Sequence, residues 1–94
     1  MDLNYIPHKS LKIVARKSGS DYILVPIRDN IADMEAVYTL NDSGALIWDL
    51  IDGKRSIKAI VDELVSEFNV DMETATRDVI DLMDDLTEYL ILGK

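Results

Sequence analysis

The chain has 94 residues, 48% hydrophobic and 30% charged, with no cysteine and a formal net charge of −8. That length suits one domain, residues 1–94, with one modest core rather than two lobes around a deep cleft, and the lack of thiols excludes disulfides, thiolate nucleophiles and cysteine zinc sites. Up to Arg28, five basic residues (Lys9, Lys12, Arg16, Lys17, Arg28) stand against Asp2 and Asp21, whereas from Asp29 onward five basic residues face sixteen acidic ones; so acidic a body argues against nucleic acid and anionic membrane as partners.

The first part of the chain reads as strands. Lys12–Arg16 and Tyr22–Val25 are short and rich in β-branched residues, and Lys17-Ser18-Gly19-Ser20-Asp21 between them supplies the glycine of a hairpin turn. Pro26, which cannot donate a ladder hydrogen bond, is expected to close the second strand. Ile27 to Met34 reads as a connection, and Ala36-Val37-Tyr38-Thr39-Leu40 alternates into a third strand.

After Leu40 the period becomes helical. Asn41-Asp42-Ser43 offers capping side chains for a helix over Asp42–Ile51, in which Ile47, Trp48 and Ile51 recur at helical spacing and Asp52-Gly53 supplies the stop. Ser56 caps a second helix, Ile57–Phe68, whose apolar face is Ile57, Ile60, Val61, Leu64 and Phe68. Asp71 caps a third, Met72–Glu88, with Val70 and Ala75 at the positions of a hydrophobic staple and Met72, Ala75, Val79, Leu82 and Leu86 as its core face. Three antiparallel strands followed by three helices make an α+β fold of winged-helix character.

No catalytic constellation is present. His8 is the single histidine, beside Pro7 in the leading segment, and reads as a solvated residue. Asp78, Asp81, Asp85 and Glu88 line one side of the third helix; no glycine-turned oxygen loop accompanies them, so they read as a hydrated outer face. Ser43-Gly44 and Ser18-Gly19 have no base in a recognisable motif, and no Gly-rich phosphate loop exists. The reading is a non-enzyme with no cofactor and no metal. Thr76, Ile80, Met83 and Thr87 form a second stripe on the third helix, about a quarter turn from its core face. That stripe serves either a wider core or a groove, and methionine suits a surface that accepts varied partners.

The stretch from Leu40 to Leu64 resembles the signature of the PqqD family. The shared residues are Leu40, Asn41, Ser43, Gly44, Ile47, Trp48, Leu50, Asp52, Gly53, Ile57, Ile60, Val61 and Leu64, followed by Phe68, Val70, Asp78, Val79, Leu82 and Leu86. The likeness covers Tyr38 to Leu86. It departs from the family at the end of the third helix, where a glycine followed by Leu, Ile or Val is usual and this chain has Glu88-Tyr89-Leu90-Ile91-Leu92-Gly93-Lys94. The apolar Tyr89–Leu92 is therefore expected to pack against protein, within the chain or across a homodimer.

The resemblance implies a RiPP recognition element. Such a protein binds the leader segment of a ribosomally made precursor peptide and presents it to a peptide-modifying enzyme, commonly a radical S-adenosylmethionine (SAM) enzyme, in the biosynthesis of pyrroloquinoline quinone or of another peptide product. The family mode is strand addition. Carried onto this sequence, it places the leader along Ala36, Val37, Tyr38, Thr39 and Leu40, over Thr76, Ile80, Met83 and Thr87, with Arg77 available to a leader carboxylate. Ile80 and Met83 are then expected to be partly exposed. Two other classes compete: a homodimeric structural or adaptor domain with no leader peptide, and a winged-helix nucleic-acid binder. The second is disfavoured by Glu73, Asp78, Asp81, Asp84, Asp85 and Glu88 around Arg77. Nothing membrane-spanning is expected, because no run approaches roughly 18 uncharged apolar residues. Met1-Asp2-Leu3-Asn4 lacks a secretory start, so a cytoplasmic location is expected.

Overall fold

In the computed structural model, which describes residues 2–28, 31–32, 37–88 and 92–93, the elements run β1 (His8–Lys9), β2 (Ile13–Ser18), β3 (Asp21–Arg28), β4 (Ile31–Ala32), β5 (Tyr38–Leu40), α1 (Asp42–Leu50), α2 (Ile57–Phe68), α3 (Met72–Glu88) and β6 (Leu92–Gly93). The three expected strands are β2, β3 and β5, and the three expected helices follow them. Ala36, the expected start of the third strand, lies outside the described residues.

β3 is the centre of the sheet. β2 pairs antiparallel with it from Ser18↔Asp21 to Ile13↔Pro26, across a turn at Gly19-Ser20 in which Gly19 has φ 61°. Positive φ at the first central residue alone is the type II′ pattern, whose twist suits a hairpin. β5 pairs antiparallel with β3 from Tyr22↔Leu40 to Leu24↔Tyr38, and β4 joins the far end at Ile27↔Ala32.

Pro26 does not close β3, which runs on to Arg28. The reason is the direction of its nitrogen. Ile27 N–H donates to the Lys12 carbonyl at 2.6 Å, so the neighbouring Pro26 nitrogen points away from β2. On that side the β5 pairing has already ended at Leu24, so neither the β2 nor the β5 ladder loses a bond at Pro26. The expected connection from Ile27 to Met34 therefore begins as strand.

α1 ends at Leu50, one residue earlier than expected. Ile51 takes an extended conformation, its N–H donates to the Trp48 carbonyl at 3.1 Å, and its side chain is buried. Gly53 serves the following turn instead of the helix end. It has φ 75°, while the Asp52 carboxylate accepts the Lys54 and Arg55 N–H groups, each at 2.9 Å. The positive φ favours glycine there, and a Cβ, 2.8 Å from His8 Nδ1, would displace the exposed His8 ring.

The helices pack on one face of the sheet. The core joins Leu24 and Leu40 of the sheet to Ile47, Trp48, Leu50 and Ile51, to Ile57, Ile60, Val61 and Leu64 of α2, and to Ala75, Val79, Met83 and Leu86 of α3. Two residues expected in this core are exposed instead: Phe68 at 41% and Met72 at 52%, each at a helix end. Among the described residues no helix is long and apolar enough to cross a membrane.

The leading segment is tied down rather than loose. The first N–H groups of a helix have no partner within the helix. In α2, Ile57 N–H donates to the Tyr5 carbonyl and Lys58 N–H to the Leu3 carbonyl, both at 2.9 Å, and Ala59 N–H to Ser56 Oγ at 3.2 Å. Pro7 is buried, and His8–Lys9 pairs with Leu92–Gly93 as a second, two-stranded sheet. His8 is exposed but held beside Gly53, and Lys9 Nζ lies 4.9 Å from the Trp48 ring centroid, within cation–π reach. The apolar tail is thus joined in part to its own chain at Leu92; Tyr89 to Ile91 lie outside the described residues.

Trp48, 3% exposed, is the core anchor that its spacing predicts. Trp48→Ala is expected to lower unfolding free energy by about 3–5 kcal/mol, measured by urea titration. A loss below about 1 kcal/mol, which an ordinary surface change gives, would contradict this assignment.

Candidate functional site

β5 leads straight into α1, and this junction shapes the surface beside it. Alternation along the strand buries Leu40, exposes Thr39 and half-buries Tyr38. Asn41 then caps α1, its side-chain oxygen accepting the Gly44 N–H at 2.8 Å. A Cβ on buried Gly44 would come within 3.1 Å of Asn41 Oδ1 and 3.3 Å of Leu40 Cδ2, so a small residue permits the tight passage from strand to helix. Tyr22 donates its hydroxyl to Asp49 Oδ1 at 2.9 Å, tying β3 to α1. Burial, with that hydrogen bond and the charge of Asp49, pushes the Tyr22 hydroxyl pKa up.

α3 runs opposite β5. Its start is fixed by Asp71, whose Oδ2 accepts the Thr74 N–H at 3.2 Å and whose carbonyl accepts the Ala75 N–H at 3.0 Å. The hydrogen bonds from Thr74, side chain first and then backbone, hold the Asp71 carboxyl below its ordinary value, with a smaller contribution from the charge of Arg77. Farther along, the Tyr38 hydroxyl donates to Asp85 Oδ2 at 3.1 Å and links strand to helix.

Between β5 and α3 lies a cleft of about 690 Å³. Tyr38, Thr39 and Leu40 form one wall, Asp78, Asp81, Leu82 and Asp85 the other, and Asn41 to Gly44 close one end. A second, more apolar depression of about 360 Å³ adjoins it, lined by Leu64, Phe68 and Val70 and sharing Asn41, Asp42, Ser43 and Asp78 with the first. Among the described residues β5 is paired along one side, to β3.

The α3 wall is not the stripe expected from apolarity. Met83 is fully buried, and Ala75, Val79, Met83 and Leu86 form the core face, so the expectation that Met83 is partly exposed is corrected. At about 100° per residue, Thr76, Ile80 and Thr87 lie on one flank of that face, whereas Asp78, Leu82 and Asp85 lie on the other. Ile80 is half-buried, and the Thr76 and Thr87 hydroxyls bond back to the Met72 and Met83 carbonyls at 2.7 and 2.8 Å. None of Thr76, Arg77, Ile80, Met83 or Thr87 lines the cleft. Of the expected strand residues, Tyr38, Thr39 and Leu40 do; Val37 is half-buried outside it, and Ala36 lies beyond the described residues. Leu82, expected in the core, is half-buried and lines the cleft.

The sequence reading missed Asp78, Asp81 and Asp85 as wall residues because carboxylates at helical spacing ordinarily mark a hydrated face. The available signal was that Asp78 and Asp85 share a flank with Leu82. Among the described residues no group of His, Asp and Glu side chains is placed to hold a metal ion.

Residues 22–92, more than half of the chain, match the family model for Coenzyme PQQ synthesis protein D (PqqD). The chain belongs to the PqqD family. Among its relatives, the PqqA binding protein of Pseudomonas syringae pv. syringae (strain B728a) is 59% identical over 34 residues, which is 36% of either chain. That of Gluconobacter oxydans (strain 621H) is 34% identical over 58 residues, 62% of this chain and 60% of the relative. The chain thus spans about a third to three fifths of the curated relatives that it matches. A solved structure, TbiB1 in complex with the TbiA(beta) leader peptide, superposes with a TM-score of 0.74 over 92% of this chain and 94% of that one, at 23% identity, and establishes a shared fold.

The depressed Asp71 carboxyl gives this PqqD-family fold a defined acid sensitivity. A carboxyl whose folded pKa lies below its ordinary value of 3.8 contributes stability above that value and loses it as pH falls through the folded pKa. Asp71→Asn keeps a capping side chain but removes the titration. Its melting temperature should fall less steeply than wild type on acidification from neutral pH to below about 3. Parallel curves would reject the cap as an acid-sensitive element.

Proposed function

We propose that this PqqD-family protein binds the leader segment of a ribosomally made precursor peptide along β5 and presents it, in the cytoplasm, to a peptide-modifying enzyme of the radical SAM type. In this reading it acts by binding and carries out no catalysis of its own. The pathway is the biosynthesis of pyrroloquinoline quinone or of another peptide-derived product. The observation that carries the proposal is the cleft between β5 and α3, where a short strand lies across from a helix with space for an extended chain. Its place in a family whose curated relatives are named PqqA binding proteins supports the same reading.

Strand addition suits these residues. Main-chain hydrogen bonds to a sheet edge give affinity that is nearly independent of sequence, and the side chains that alternate toward the protein are read by pockets. Thr39 and Leu82 stand on the two sides of that path, and Leu82 supplies an apolar surface at its floor.

The test is a titration of a candidate leader peptide into isotope-labelled protein. Amide shifts should concentrate at Tyr38–Leu40 and along Asp78–Asp85. Leu82→Ala should weaken binding about tenfold, the equivalent of losing a half-buried leucine contact of roughly 1.4 kcal/mol, whereas Ile80→Ala should leave it unchanged. Shifts confined to the β2 hairpin, or equal affinities for wild type and Leu82→Ala with folding confirmed, would overturn the docking site.

A further inference from the structure

The charge of the cleft specifies its occupant more closely than strand addition does. Asp78, Asp81 and Asp85 stand along the α3 wall, Asp42 lies at the α1 end and Asp21 also borders the cleft, while among the described residues no lysine or arginine lines it. The ion pairs among the described residues, Arg55–Asp52 and Lys58–Asp62, lie elsewhere. The cleft is continuous with the depression beside Phe68, whose ring is 41% exposed although large aromatic side chains are ordinarily well buried.

We infer that the docked strand is basic, with Lys or Arg side chains facing Asp78 and Asp81 and an apolar side chain seated against Phe68, Val70 and Leu64. This rests on the strand-addition reading and adds the chemistry of the partner to it. Three exposed carboxylates within a few turns of one helix repel one another, and a cationic strand relieves that repulsion while its backbone pairs with β5. Exposed pairs are individually weak and screened by salt, so their contribution is selectivity among strands and a faster encounter, not most of the affinity. An acidic strand in the same place would meet like charge along the whole α3 wall.

The probes are synthetic peptides of about ten residues, long enough to follow a strand. They share one apolar pattern and carry Lys, Gln or Glu at the alternating positions, and they bind the full chain in a fluorescence-anisotropy assay. At low ionic strength the Lys peptide should bind about tenfold more tightly than the Glu peptide, with Gln between them, and the gap should narrow as salt is added. Asp78→Asn combined with Asp81→Asn should erase the ranking, whereas Glu63→Gln on the exposed face of α2 should preserve it. Phe68→Ala should weaken all three peptides alike. Equal binding of the Lys and Glu peptides to wild type, or no binding of the Lys peptide, overturns the inference. A backbone N-methylated Lys peptide separates the two layers. If methylation abolishes binding while charge has no effect, strand addition stands and the basic preference fails. If the charge ranking survives methylation undiminished, the basic preference stands and strand addition fails.

Discussion

Ala75, Val79, Met83 and Leu86 are all fully withdrawn from solvent, and that buried row sets how α3 is rotated about its own axis. A helix offers two flanks beside any buried face, and burial of one row decides what each flank meets. Here Met83 is drawn inward, Leu82 is left at the margin, and Asp78 and Asp85 fall on the side of β5. Burying a methionine is worth about 1.5–3 kcal/mol, and this rotation gains it while leaving Asp78, Asp81 and Asp85 exposed. The character of the cleft is therefore a consequence of core packing.

The same packing shows what could be read from the residues alone and what could not. Periodicity identifies all three helices, because Ile57, Ile60, Val61 and Leu64, or Ala75, Val79 and Leu86, recur with a period that only a helix satisfies. Trp48 follows the same logic. The error at Met83 arises because Leu82 and Met83 are adjacent apolar residues about 100° apart, either of which completes an acceptable stripe; the choice depends on what α2 and the sheet present to them. The wall of the cleft was invisible for a related reason. Apolarity along a helix points to a groove, whereas the α3 side of this one is mostly carboxylate.

Backbone pairing was the other illegible part. β1 and β6 are two residues each, too short to show alternation, and exist because distant segments meet. Pro26 is a sound signal of a strand end on average, yet at this register its missing N–H falls on a side of β3 where the β5 ladder has stopped. Such facts belong to the partner strand and not to the residue itself.

The β1–β6 ladder also has a topological consequence. His8 and Gly93 are paired residues, and the stretch just before that pair binds the first turn of α2 through the Leu3 and Tyr5 carbonyls. One short length of backbone therefore ties the start of α2 to the segment beyond α3, and works as a clasp across the helices.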